Sequence, residues 1–223
     1  WLSSYLDQVV SRDVSLVGAV RDPMRLRRYL QAVAASTAGV PTMKTLIDAV
    51  GIDRATAVSY DTMLESLLIT EELPAWSANR LNRLIRLPKR YLIDPAFVGP
   101  LLGVDVRAAM RDGDLLGRVL DSFVVAQLRA DCVVSNLSPR LFHVRDANGR
   151  HEVDVLAEFA NGRVVGFEVK ADAAPGPETA RHLRWLKNAL GERFVAGIVL
   201  HTGPRYFRLE EDIFALPICA LWS

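Results

Sequence analysis

The chain has 223 residues, half of them hydrophobic and 24% charged, with a formal net charge of +1. That is enough chain for a packed core in one or two domains. Divided near Pro95, it holds twelve Lys and Arg against ten Asp and Glu before that point and fifteen against sixteen after it. Neither half is a polycation, so any nucleic-acid contact must come from a local patch.

Residues 1–20 read as helical, with a polar break at Ser11-Arg12-Asp13. Asp22-Pro23 suits a helix start, since Asp caps well and Pro is favoured in the first turn. Met24 to Ala35 follows, with Leu26, Tyr29, Leu30 and Val33 at helical spacing. Thr42 can cap a short helix, Met43 to Val50; Gly51 closes it, and Asp53 caps the next, Arg54 to Leu68. Helix, short helix, glycine turn and helix make a helix-turn-helix pattern. Two β-segments should then form a wing around a polar turn at Ser77-Ala78-Asn79-Arg80, the second running through Leu84-Ile85-Arg86-Leu87 to Ile93.

Asp94-Pro95 reads as the exit from this module. A short helix and a loop cover 96–113, and Asp114 to Ala130 is a strongly amphipathic helix. Cys132 to Leu137 and Arg140 to Arg145 are candidate strands. His151 to Lys170 should be a hairpin turning at Asn161-Gly162. Pro177 to Leu190 reads as a helix, Phe194 to His201 as an apolar strand, and Tyr206 to Trp222 as one or two further β-segments.

Some chemistries find no support. Cys132 and Cys219 have neither CxxC nor His/Cys ligand spacing, so a zinc site is not expected. Both are expected to be buried free thiols in a reducing cytoplasm. No signal peptide or bilayer-length apolar stretch occurs, so a cytoplasmic location without a membrane partner is expected. No GxxxxGK[ST] pattern is present, so a P-loop ATP site within the chain is not expected. The four histidines share no spacing, and no Ser or Cys is flanked as a nucleophile would be. The chain begins at Trp1 rather than Met, which reads as a fragment or a trimmed chain.

The hairpin carries the strongest chemical signal. Asp154 lies on its first strand, and Glu168 and Lys170 lie on one side of its second. Carboxylates amid apolar strands require partners. One solution is an ion-pair set with Lys170. The other is a divalent metal site, with Asp154, Glu168 and the carbonyl of Val169 as oxygen ligands for Mg²⁺ or Mn²⁺ and Lys170 beside the reacting phosphate. Asp121, on the 114–130 helix, is the candidate further carboxylate. Glu152 shares the face of Asp154 by period two, and Glu158, near the turn, should be solvated. Upstream, Arg80, Arg83, Arg86, Lys89 and Arg90 occur with no acid between Glu72 and Asp94. This run is the candidate phosphate-contacting patch of the wing; the alternative is a solvated wing or an assembly contact. The predicted reading helix offers Arg54, Thr56, Ser59, Tyr60 and Thr62.

Asp154, with Glu168-Val169-Lys170 after thirteen intervening residues, resembles the PD-(D/E)xK motif of restriction-endonuclease-like folds, including archaeal Holliday-junction resolvases. More closely, nearly the whole chain resembles the C-terminal half of a prokaryotic family of AAA-type ATPases. There a nucleotide-binding core precedes a winged helix and a nuclease-like domain of unknown function. The segments that carry this are Trp1 to Leu6 with Arg12-Asp13, Thr56 to Tyr60 with Leu64-Glu65, Arg83 to Asp94, Gly117 to Val124, Arg145, and the two motifs of the hairpin. Asp121 stands where the family has glutamate, one methylene longer.

The resemblance implies an α+β chain. A helical segment (1–22) linking to an ATPase core would precede a winged helix-turn-helix (23–95) and a restriction-endonuclease-like mixed-sheet α/β domain (96–223). It further implies DNA or another nucleic acid as partner, the ATPase core of the same full-length protein as a second, and a homo-oligomer. Asp154, Glu168, Lys170 and Asp121 would be its catalytic set. Two functions remain open: metal-dependent phosphodiester hydrolysis, or an inactive nuclease-like fold used for binding and assembly.

Overall fold

Short polar caps fix the N-terminal helices of the computed structural model, which describes residues 1–10, 22–146 and 148–222. Leu2–Gln8 forms α1; the break expected at Ser11-Arg12-Asp13 lies outside the described residues. The Asp22 carboxylate accepts from the Met24 and Arg25 amides at the start of α2 (Pro23–Ala35). Such a cap satisfies amides that have no partner within the helix. Thr42 does the same for α3 (Met43–Val50), and Gly51 ends that helix at φ 72°, a conformation glycine adopts without steric cost. Asp53 opens α4 (Arg54–Ser66).

The chain divides into two compact units. The first comprises Trp1–Glu72 and Lys89–Ser122. Its core is built from Leu26, Tyr29, Leu30, Val33, Leu46 and Leu64 of α2, α3 and α4, all buried. Strands β1 (Thr70–Leu73) and β2 (Lys89–Leu92) pair as a two-stranded sheet. What separates them differs from the expected polar turn. Residues 74–88 carry helix α5 (Arg80–Ile85), so Leu84-Ile85 is helical and Arg86-Leu87 is its exit rather than strand. This stretch joins the second unit: the Trp76 amide donates to the His143 carbonyl at 2.7 Å, and Trp76 is buried there. A buried indole outweighs the turn propensity of the polar residues beside it. After β2 come α6 (Val98–Leu102) and α7 (Val106–Arg111).

The second unit comprises Leu73–Pro88 and Phe123–Ser223. The units therefore interleave and do not follow a single cut after Pro95. Helix α8 (Gly113–Val134) runs beyond its expected end, and Cys132-Val133-Val134 belong to it. The strand expected over Cys132 to Leu137 is absent, and residues 136–137 are a turn. Six strands follow: β3 (Arg140–Arg145), β4 (Glu152–Glu158), β5 (Val164–Lys170), β6 (Phe194–His201), β7 (Phe207–Glu210) and β8 (Ile213–Pro217). They form one mixed sheet in the order β3-β4-β5-β6-β8-β7. β3, β4 and β5 are antiparallel neighbours; β5, β6 and β8 are parallel; β7 is an antiparallel edge.

Helix α9 (Arg181–Leu190), entered through a 3-10 turn at Pro177–Ala180, makes the crossover that parallel β5 and β6 require. Leu183 and Leu186 press onto the sheet at Gly166 and Gly197, which are register partners. A Cβ on Gly166 would stand 2.8 Å from Leu183 Cδ2, and one on Gly197 3.1 Å from Leu183 Cβ. Two neighbouring glycines thus let α9 approach the middle of the sheet closely, and the crossover starts its first turn from the carboxyl side of β5. Both cysteines are free, but Cys132 is only half-buried and Cys219 is exposed, unlike the buried thiols expected. Among the described residues no helix is long and apolar enough to cross a membrane.

Candidate functional site

The β4–β5 hairpin turns where expected. Gly162 takes φ 78°, its amide donates to Phe159, and the Asn161 side chain accepts from the Arg163 amide. At its other end the ladder is irregular. Phe142 pairs with Leu156, but Val144 pairs with Val153. β3 advances two residues while β4 advances three, so β4 carries a bulge at Asp154-Val155. A bulge re-aims the side chain it displaces. Here the ladder to β5 ends at Val155–Phe167, and beyond it Asp154 Oδ2 accepts from the Val169 amide at 3.0 Å. The bulge also breaks the period that would set Glu152 on the face of Asp154; Glu152 instead lies opposite Arg145, 3.9 Å away.

Glu168 and Lys170 project from one face of β5, the face that α9 covers. Glu168 is 2% exposed, and its Oε2 accepts from Lys170 Nζ at 2.8 Å. The lysine side chain is 34% exposed, so the pair is open to solvent at the ammonium end. Lys170 is also the register partner of His201, the last residue of parallel β6. His201 is fully buried, and its Nδ1 accepts from the Gly203 amide at 3.0 Å, which puts the ring proton on Nε2. These groups lie where β5 and β6 end, the carboxyl edge at which open α/β sheets hold their ligands.

Two further residues come to this edge. The His151 ring, just before β4, stacks on Trp185 of α9 at 4.8 Å between centroids and 3° between planes. His182, in the first turn of α9, meets the same ring edge-on at 5.6 Å. Arg181 Nε donates to His182 Nε2 at 2.9 Å. Burial pushes the His182 pKa below its ordinary value. The positive charges of Arg181 and Lys170 and the neighbouring His151 push it the same way, while Asp154 opposes them. His182 is therefore neutral near pH 7. This pairing has no direct sign in the sequence, because His151 and His182 share no spacing. A signal did exist: a helix returning from β5 to a parallel β6 must begin at the carboxyl end of β5, which places residue 182 there.

The other predicted site residues have partners of their own. Asp121 belongs to the first unit, where Lys89 Nζ and the Tyr91 hydroxyl each approach its carboxylate at 3.2 Å. Lys89 itself is 2% exposed. Arg90 grips Asp61 with two bonds of 2.6 and 2.7 Å. In the second unit Arg83 makes bonds of 2.6 and 2.9 Å to Glu158 and one of 2.6 Å to the Ser77 carbonyl, over the Phe142 ring. Glu158, expected to be solvated, is thus a half-buried partner and also accepts from Trp76 Nε1 at 3.0 Å. Arg86 is exposed and donates to the Arg145 carbonyl. Arg80 opens α5 behind the Asn79 cap. The basic run therefore does not form one solvated patch: Arg83, Lys89 and Arg90 are each committed to an acid remote in sequence. Of the predicted reading helix, Arg54, Ser59 and Thr62 are exposed, but Tyr60 is core.

The chain matches two family models. Residues 1–108 match a domain of unknown function (DUF8612), and residues 116–221 match another (DUF4143). Among curated proteins it is similar to the uncharacterized proteins Mb2031c of Mycobacterium bovis and Rv2008c of Mycobacterium tuberculosis. Each is 27% identical over 97% of this chain and 47% of the relative. The chain thus spans about half the length of the curated relatives it matches. No solved structure matches it significantly.

Proposed function

We propose that the second unit is a restriction-endonuclease-like domain that hydrolyses phosphodiesters of nucleic acid with Mg²⁺ or Mn²⁺. The first unit serves as a winged-helix module, and the whole is the C-terminal part of a prokaryotic AAA-type ATPase that assembles with its ATPase core. The motif resemblance supports the nuclease assignment. DUF4143 is commonly found in C-terminal regions of AAA ATPases, which supports the wider assignment. The observation that carries the catalytic reading is the convergence of bulged Asp154 with Glu168 and Lys170 at the carboxyl edge of β5.

The donor set suits a hard divalent cation. Asp154 and Glu168 supply carboxylate oxygens, the hard ligands such a cation takes. In an extended strand a residue's N–H and C=O point the same way, so the Val169 carbonyl turns towards β4 along with the amide that Asp154 accepts. Among the described residues no group of three or more His, Cys, Asp or Glu could hold a metal. Waters and a substrate phosphate would therefore complete the shell, as Mg²⁺ usually has it. A bound cation would polarise the phosphoryl oxygens and acidify a water. Lys170, with its ammonium held by Glu168 and open to solvent, is placed to offset charge that develops on the phosphate.

A second reading is an inactive scaffold that binds nucleic acid or assembles the ATPase. The mutual satisfaction of Asp154 by Val169 and of Glu168 by Lys170 favours it. The deciding experiment incubates branched, single-stranded and duplex DNA and RNA with the protein in Mg²⁺, Mn²⁺ or EDTA. Metal-dependent cleavage that falls roughly 10²-fold or more in Asp154→Ala and Lys170→Ala supports hydrolysis. Absence of metal-dependent cleavage on every substrate leaves the scaffold.

A further inference from the structure

We propose that His151, His182 and Arg181, beside Lys170, form a phosphate-recognition corner that holds a backbone phosphate of single-stranded or duplex nucleic acid next to the reactive phosphodiester. This rests on the nuclease-like reading for its substrate class. It assigns a role to residues which that reading does not use.

The corner is built rather than incidental. Trp185 fixes the plane of the His151 ring by parallel stacking, and His182 is set edge-on against that ring. The close seat of α9 on Gly166 and Gly197 fixes the helix turn that carries Arg181 and His182. Leu183 and Leu186 already supply the packing of α9, so core filling does not require a histidine at position 182.

Its hydrogen-bond capacity is unspent. The Nδ1 atoms of His151 and His182 are both shielded from solvent and have no hydrogen-bond partner among the described residues. Buried polar atoms are seldom left so. Arg181 donates to His182 Nε2, which makes that nitrogen the acceptor and leaves the proton of the neutral ring on Nδ1. His182 thus holds an unused donor. Both residues are half-buried, so an incoming group reaches the rings, and the His182 side chain turns to offer it the Nδ1 proton.

The local charge selects an anion. Arg181 and Lys170 are cationic, and Glu168 is engaged by Lys170. Asp154 is the acid that His182 feels, and Asp146 is the acid beside His151; Asp154 is also a proposed metal ligand, and a metal there would neutralise it. Planar and ammonium donors of this kind match the oxygens of a phosphodiester. A metal centre made from the histidines is not the reading, because no cluster of three ligating side chains occurs among the described residues.

The test measures binding without catalysis. Fluorescence anisotropy of labelled single-stranded and duplex oligonucleotides is followed in EDTA, with inorganic phosphate as a competitor. Variants are Arg181→Ala, His182→Ala, His182→Gln and Asp154→Ala, with exposed Lys44→Ala as a charge control. The expected result is binding that weakens about tenfold in Arg181→Ala and His182→Ala, the loss of one charge-assisted hydrogen bond. The salt slope should fall by roughly 0.7–0.9 in Arg181→Ala. His182→Gln should retain part of the affinity, Lys44→Ala all of it, and Asp154→Ala should bind at least as well as the wild type. Circular dichroism confirms that each variant is folded. Competition by phosphate at concentrations equal to those of nucleotide units would mark a free-phosphate site and overturn the backbone assignment. So would wild-type binding that Arg181→Ala and His182→Ala leave unchanged, or no binding by the wild type. The first two of these outcomes leave the cleavage assay standing, and absence of cleavage does not alter the EDTA result.

Discussion

Removing Arg83 tests whether the basic run is internal architecture or a nucleic-acid contact. Its guanidinium lies over Phe142 at 4.8 Å and meets Glu158 through bonds of 2.6 and 2.9 Å, with side-chain exposures of only 11% and 15%. Arg83→Ala strands the Glu158 carboxylate with Trp76 Nε1 at 3.0 Å and a long contact of 3.5 Å to Arg193. Breaking a buried pair from one side costs about 3–5 kcal/mol. The two surviving donors offset part of that, so about 3 kcal/mol is expected in urea unfolding, with an unchanged m-value. The hydrogen bond from Arg83, aided by Trp76 and by the charges of Arg83 and Arg193, holds the Glu158 carboxyl below its usual range. A depressed folded pKa gives stability that is fully present above the unfolded value, about 4.3. That stability is lost as pH falls through the lower folded value. The gap between wild type and Glu158→Gln should therefore be widest near neutrality and close in acid. A cost below about 1 kcal/mol for Arg83→Ala would refute this reasoning, as would a gap to Glu158→Gln that persists at the lowest folded pH. A phosphate-contacting arginine would show that small stability cost together with weakened nucleic-acid binding.

Two further outcomes follow from the packing. Gly197→Val places methyl groups where Leu183 and Phe194 already stand at 3.1 Å from a Cβ, so it should lower stability by about 1–3 kcal/mol; thermal unfolding reads this, and a neutral result would mean that α9 is not closely seated. In the first unit, Lys89→Ala should cost about 3–5 kcal/mol by breaking the buried Lys89–Asp121 ion pair from one side, whereas joint Lys89→Met and Asp121→Leu should restore most of that loss. Denaturant titration of the single and double variants checks this, and equal losses in both would contradict it.

Sequence legibility followed the range of the interaction. Helix starts at Asp22, Thr42 and Asp53, the stop at Gly51 and the turn at Asn161-Gly162 are settled by neighbours a few residues away, and all are readable. The acidic hairpin was legible for the same reason. Three features were not. The bulge at Asp154 depends on how β3 pairs across the sheet, which a single strand's alternation does not contain. The run Arg80 to Arg90 looked like one solvated patch because its acids, Asp61, Asp121 and Glu158, are distant in sequence. The apolar end of α8 read as a strand because Val133 and Val134 are β-branched, yet both are exposed on a continuing helix. The His151–His182–Trp185 cluster needed the direction of the β5–α9–β6 crossover.

A Mn²⁺ titration followed by electron paramagnetic resonance distinguishes an oxygen-donor site at Asp154 and Glu168 from a closed internal pair. Mn²⁺ should bind to the wild type, be lost in both Asp154→Asn and Glu168→Gln, and be retained in Lys170→Ala. Absence of bound Mn²⁺, or binding unchanged in Asp154→Asn, would contradict the oxygen-donor site.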